Sequence, residues 1–123
     1  MLIKSSVLSV VVVAFTLSGS LLADSLGEIK NYREYSADFA SAGQPSRELF
    51  ELLKSEGFER VVYIACVNSE GEISDEDQLV RALGMHYAQV RVIWDAPTKA
   101  DFDTFAAVMQ SAPEKKTLLH CQA

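Results

Sequence analysis

The chain has 123 residues, of which 49% are hydrophobic and 23% charged, and its formal net charge is −6 at pH 7. This length and composition fit one globular domain and exclude an intrinsically disordered chain. An acidic chain without clustered Lys and Arg is also poorly suited to bind nucleic acid or an anionic membrane surface, so neither is expected as a partner.

Residues 1–23 form a separate N-terminal segment. Lys4 precedes an apolar run over residues 7–17, and small residues follow up to Ala23. This pattern predicts a secretory signal peptide, because the apolar run is too short for a stable membrane span. A retained membrane anchor is the alternative. Cleavage would give a periplasmic or secreted protein with no stable membrane association.

After the signal peptide, the sequence predicts an irregular segment, followed by a strand and a helix. Residues 24–36 have poor periodicity and are interpreted as a lead-in that lies over the domain formed by residues 37–123. Phe39–Ala42 is a candidate strand. A turn then leads into a helix that Ser46 can cap and that Gly57 can end.

Three further strands are predicted. Val61–Cys66 is rich in β-branched residues and His86–Ile93 alternates in polarity, with Tyr87, Val90 and Val92 as its packing residues. Thr117 to Ala123 begins with an apolar run without alternation, which is typical of an interior parallel strand covered on both faces.

Two further helices lie between these strands. Ser74 is the predicted N-cap of a helix over residues 75–83, and Thr98 is the predicted N-cap of a helix over residues 99–111. Strands that alternate with helices predict an α/β fold, a three-layer sandwich with a mostly parallel sheet. In the last helix the residues expected to form a buried stripe are Phe102, Phe105, Ala106, Val108 and Met109.

Cys121 comes directly after the apolar run of the last predicted strand. Open α/β sheets bind their ligands outside the carboxyl ends of the strands. The thiol is therefore expected to face a binding crevice.

Three segments resemble a known superfamily. His120-Cys121 at the end of a hydrophobic strand resembles the start of the His-Cys-(x)n-Arg phosphate loop of the cysteine-dependent protein tyrosine and dual-specificity phosphatases. Residues 39–46 resemble the Gly-Gln-Pro segment of a compact bacterial branch of that superfamily, and residues 92–98 resemble its general-acid loop. The segments follow in the family's order, and the resemblance implies a protein tyrosine phosphatase-like fold over residues 37–123.

The resemblance also implies roles for individual residues. Cys121 would attack phosphorus as a thiolate and form a phosphocysteine, and Asp95 would protonate the leaving alcohol. The substrate would be a phosphorylated protein or a small phosphate ester, and no cofactor or metal is implied. A purely structural role is the alternative for each residue. The residues expected to contact substrate are His120, Gln122, Ala123, Gln44 and Trp94.

The sequence departs from the family pattern in two places. The phosphate-binding Arg of the family follows the nucleophile by a few residues, which would place it beyond Ala123, so the chain as written is expected to be an incomplete and inactive phosphatase. Cys66 stands where the family usually has other residues. In some superfamily members a neighbouring thiol forms a reversible disulfide with the nucleophile, which predicts a Cys66–Cys121 pair in an oxidising periplasm. Two unrelated thiols are the alternative.

Two other functions are open at this point. Sulfur transfer of the rhodanese type also uses a reactive cysteine in an anion-binding loop after a parallel strand. It needs no general acid, so the role of Asp95 distinguishes it from phosphate ester hydrolysis. A non-catalytic, exported α/β interaction domain is the third possibility.

Overall fold

The computed structural model describes residues 25–65 and 71–123, so the predicted signal peptide and Cys66 lie outside the described residues. No helix in these two ranges has the length and apolar character needed to cross a bilayer. The strands are β1 (Arg33–Ser36), β2 (Phe39–Ala42), β3 (Arg60–Tyr63), β4 (His86–Gln89) and β5 (Thr117–His120), and the helices are α1 (Arg47–Ser55), α2 (Glu76–Ala82) and α3 (Lys99–Ser111).

The five strands form one sheet in the order β1-β2-β5-β3-β4. β1 pairs with β2 in antiparallel fashion, and the other neighbouring strands are parallel. β5 is the central strand, which explains its uninterrupted apolar run, since Leu118 is fully buried. The predicted α/β fold with a mostly parallel sheet is confirmed.

One face of the sheet holds the main hydrophobic core. Successive side chains of a strand point to opposite faces, so alternate residues of β2, β3 and β5 meet α1 and α2 on this face. The apolar stripe of α1 supplies three fully buried side chains to it. The core residues on these elements are Ala40, Ala42, Leu49, Phe50, Leu53, Val61, Val80 and Leu118.

The opposite face is covered by α3 and is more polar than expected. Arg60 is buried there; its Nε donates to Thr117 Oγ1 at 2.9 Å, and its Nη1 donates to the Val108 carbonyl at 2.9 Å. The stripe predicted on α3 is only half-buried at Phe105, Ala106, Val108 and Met109, and the prediction is wrong for Phe102, which is 65% exposed. The Phe102 and Phe105 rings lie tilted to each other, with centroids 6.4 Å apart.

Several strand boundaries differ from the prediction. β4 ends at Gln89, whereas a strand to Ile93 was predicted, and β3 ends at Tyr63. Among the described strands, β4 lies at the edge of the sheet and pairs with β3. Its ladder ends with the bond from Val90 N–H to the carbonyl of Tyr63, the last residue of β3. β1 lies in the predicted lead-in and was not predicted.

The helix ends agree with the prediction at two positions. Thr98 caps α3 through a capping box with Asp101, and Gly57 follows α1 with φ +88°, a conformation that favours glycine. Ser46 precedes α1 but makes no side-chain capping bond. The N-cap of α2 is Asp75, one residue later than predicted.

Candidate active site

Cys121 is the first residue beyond the central strand. Its N–H donates to the Ala42 carbonyl at 3.3 Å, and its thiol is half-buried and donates to the Ala123 carbonyl at 3.6 Å. The thiol borders a cleft of about 200 Å³ at the carboxyl edge of the sheet. The described residues that line it follow β3, β4 and β5, and they are Ile64, Ala65, Val92, Trp94, Cys121, Gln122 and Ala123.

The structure brings Trp94, Gln122 and Ala123, predicted as substrate contacts, together with Cys121 in this cleft. Trp94 is 77% exposed and therefore stands at the mouth. Asp95 is the next residue of the same exposed turn, and it is not among the described lining residues. The candidate general acid thus lies on the rim at the same edge of the sheet, and its role stays a prediction.

His120 does not line the cleft of Cys121. Its side chain is buried on the core face, where the ring stacks on Tyr63 with centroids 4.7 Å apart. The ring Nε2 lies 2.7 Å from Glu76 Oε2, and Nδ1 lies 3.2 Å from the Cys121 carbonyl oxygen. A carbonyl oxygen only accepts, so Nδ1 is the donor in that bond.

Gln44 lies behind the cleft and is hydrogen-bonded to the same carboxylate as His120, that of Glu76. Its Nε2 donates to Glu76 Oε1 at 2.6 Å, and its Oε1 accepts from Gln122 Nε2 at 3.4 Å. Gln122 Nε2 also lies 2.5 Å from the Tyr63 hydroxyl oxygen. We call the four linked residues Glu76, His120, Gln44 and Gln122 the Glu76 network.

Glu76 was not predicted as a site residue. The run of acidic residues at the start of α2 was interpreted as a complement to the helix dipole, which is the usual role of such residues. Only 3% of Glu76 is exposed, although Asp75 and Asp77 beside it are far more accessible. Nothing in the spacing of three acidic residues indicates which one is buried.

Burial and the Glu76 carboxylate both raise the pKa of the Tyr87 phenol on β4. Burial disfavours the charged phenolate, and the neighbouring carboxylate repels a second negative charge. The phenol is therefore protonated across the physiological pH range.

Gly43 brings the β2–α1 turn against the segment that follows Cys121. Its N–H donates to the Lys30 carbonyl at 2.7 Å. A Cβ atom at this position would lie 2.8 Å from the Ala123 carbonyl carbon, closer than real contacts allow. Glycine is therefore required here by a close backbone approach.

A positively charged side chain lies beside the Cys121 cleft and not in its described lining. The described lining of the Cys121 cleft contains no cationic side chain. An adjoining concave surface of about 360 Å³ extends from Cys121 to β1 and includes Arg33. This surface could not be predicted, because β1 itself was not.

Comparison with known structures finds similarity at substantial identity. A provisionally named phosphatase (DUF442) from Shewanella putrefaciens superposes with a TM-score of 0.77 at 32% identity, over 80% of this chain and 65% of that one. The chain therefore spans slightly less than two thirds of the length of that protein. No family model and no curated protein matches the sequence.

Two more distant structures share the fold. TpbA from P. aeruginosa has a TM-score of 0.62 at 18% identity, over 78% of this chain and 55% of that one. The core catalytic domain of the PP-IP phosphatase SIW14 from S. cerevisiae has a TM-score of 0.62 at 13% identity, over 76% and 57%. With a thiol at the end of the central strand, the chain therefore has the fold of the cysteine-dependent, protein tyrosine phosphatase-like phosphatases.

Proposed function

We propose that the protein hydrolyses phosphate monoesters through a phosphocysteine intermediate, with Cys121 as the nucleophile and Asp95 as the general acid. The observation that supports this most is the position of Cys121. Its thiol borders a cleft at the carboxyl end of the central strand, in a chain 32% identical to a phosphatase-like protein. The proposed substrates are phosphorylated proteins or small phosphate esters.

The proposed reaction has two steps. The Cys121 thiolate attacks phosphorus, an S–P bond forms, the P–O bond to the alcohol breaks, and Asp95 gives its proton to the leaving oxygen. Water then attacks the phosphocysteine, the S–P bond breaks, and the Asp95 carboxylate accepts a proton from that water. Asp95 lies in an exposed turn beside the cleft, so its side chain has room to turn toward a bound substrate.

The test uses the product of the longest reading frame that contains these residues. With a phosphotyrosine peptide under reducing conditions, we expect Cys121→Ser to lower kcat by about 1000-fold or more, because the nucleophile is lost. Acid quenching of the wild type with labelled substrate should trap the phosphocysteine on the peptide that contains Cys121. Cys66→Ser is the matched control and should retain activity. Hydrolysis that survives Cys121→Ser would overturn the proposal.

We also propose that the protein is exported, on the pattern of residues 1–23 alone. Mass analysis of the protein from a periplasmic fraction should give a chain that begins at Asp24. A full-length chain in the membrane fraction would instead support a retained anchor.

A further inference from the structure

We propose that Glu76 is a positioning residue for the nucleophile. Its carboxylate fixes the His120 ring on one side and, through Gln44, the Gln122 side chain on the other. These two partners flank Cys121 in the sequence. The consequence for turnover rests on the proposed function, whereas the consequence for the Cys121 thiol does not.

The burial of Glu76 is difficult to explain by stability alone. A carboxylate removed from water is costly unless donors surround it, and a buried pair of ionisable groups is often no more stabilising than apolar residues of the same size. Glu76 is 3% exposed and lies on α2, where an apolar residue would extend the core that Val80 occupies. Both of its oxygens are used instead, one by His120 and one by Gln44.

The geometry connects Glu76 to the thiol through His120. Both ring nitrogens of His120 face acceptors, the Glu76 carboxylate at 2.7 Å and the Cys121 carbonyl at 3.2 Å. The contact with Glu76 fixes the ring so that Nδ1–H points at the Cys121 carbonyl. A donor held at that carbonyl draws negative charge away from the backbone beside the sulfur and so favours the thiolate. Loss of the Glu76 carboxylate should therefore make the thiol less reactive.

The second arm of the network acts on the segment after the nucleophile. Gln122 Nε2 lies between Gln44 Oε1 at 3.4 Å and the Tyr63 hydroxyl at 2.5 Å. Gln44 can present its oxygen to Gln122 because its nitrogen is held by Glu76. One carboxylate therefore orients the amide of Gln44 and, through it, the side chain that follows Cys121.

The test measures the reactivity of Cys121 directly, without turnover. Alkylation by iodoacetamide is followed by peptide mass mapping, so that Cys121 is scored separately from Cys66. We expect Glu76→Gln, which keeps the shape and removes the charge, to slow alkylation of Cys121 about tenfold at pH 6.5, as for one lost charge-assisted hydrogen bond. The two rates should converge near pH 9.5, where ordinary thiols ionise without help.

Asp77→Asn is the matched control. Asp77 lies on the same helix, is exposed and pairs with Arg81 at 3.0 Å, so its loss removes a carboxylate without touching the network. Its alkylation rate should equal that of the wild type at every pH. Equal rates for folded Glu76→Gln and wild type at pH 6.5 would overturn the proposal.

A double variant tests whether Glu76 acts through His120. In a His120→Asn background, Glu76→Gln should add little further effect, because the group that it orients is already absent. If Glu76→Gln still slowed alkylation of Cys121 tenfold in the His120→Asn protein, Glu76 would not act through His120. A changed alkylation rate in a protein that hydrolyses no phosphate ester would support the positioning role and would contradict only the proposed function.

A measurement on the wild-type protein tests the proposal even if the Glu76→Gln variant does not fold. The proton between His120 Nε2 and Glu76 Oε2 is buried, so ¹⁵N-labelled protein should show a slowly exchanging, strongly downfield ring proton assigned to His120. His86, whose side chain is exposed, is the internal comparison and should show none. Absence of the His120 signal at pH 6.5 and low temperature would overturn the proposal.

Discussion

Asp95 and Glu76 place the same kind of carboxyl group in different surroundings. Asp95 is exposed in a turn beside the cleft, where a carboxylic acid can exchange protons with substrate and water. Glu76 is buried behind the cleft and bonded to His120 and Gln44, where a carboxylate orients its neighbours. The exposed position of Asp95 suits the proposed general acid, and the buried position of Glu76 suits a group that holds its neighbours in place.

Asp95→Asn tests the proposed general acid. We expect kcat for a phosphotyrosine peptide to fall by about 100-fold or more, because the leaving phenolate is then not protonated. The loss should be smaller for p-nitrophenyl phosphate, whose leaving group is stable without a proton. Asp103→Asn, an exposed residue paired with Lys99, is the control and should keep its rate. An equal loss of kcat for both substrates would count against Asp95 as the general acid. An unchanged rate in Asp95→Asn would instead fit sulfur transfer, which needs no general acid.

Gly43→Ala tests the close approach between the β2–α1 turn and the end of β5. The added methyl group would meet the Ala123 carbonyl, so we expect a loss of about 1–3 kcal/mol in the free energy of unfolding in urea. Gly27→Ala is the matched control, because its Cβ would meet only the Ser25 hydroxyl, at an ordinary 3.4 Å. A loss of the same size at both positions would show that the contact is not the cause.

At the scale of elements, the central position of β5 explains why the candidate site forms where it does. β5 lies between β2 and β3, so the segments that follow β3 and β5 and the turn after β2 meet at one edge. The apolar run of β5 predicted an interior strand. The neighbours of that strand were not predictable, because parallel pairing joins segments far apart in the sequence. β1 was missed because the residues of this edge strand are exposed on both faces and show no alternation.

The helix caps give a prediction at this scale. Thr98→Ala should lower the free energy of unfolding by about 1 kcal/mol, because it removes the side-chain half of the α3 capping box. Ser46→Ala should cost less, since Ser46 makes no capping bond to α1. Urea denaturation of both variants gives the comparison, and a larger loss for Ser46→Ala would contradict it.

At the scale of the whole molecule, the charges of the chain and of the cleft bear on phosphate binding. The chain carries a formal net charge of −6, and the described cleft lining has no cation, whereas a phosphate dianion needs donors and positive charge. The described lining of the cleft itself therefore offers a phosphate dianion no positive charge, and Arg33 lies on the adjoining surface.

The sequence by itself determined the class of fold and the place of Cys121 at the end of the last strand. Hydrophobic runs, caps and turn residues act locally, and the carboxyl end of a parallel strand is a predictable place for a ligand. Tertiary structure alone decided that Glu76 is buried against His120, that Gln44 supports the site from behind and that Gly43 touches Ala123. Those contacts depend on which strands become neighbours and on which helix faces the sheet buries, and no short stretch of sequence encodes either.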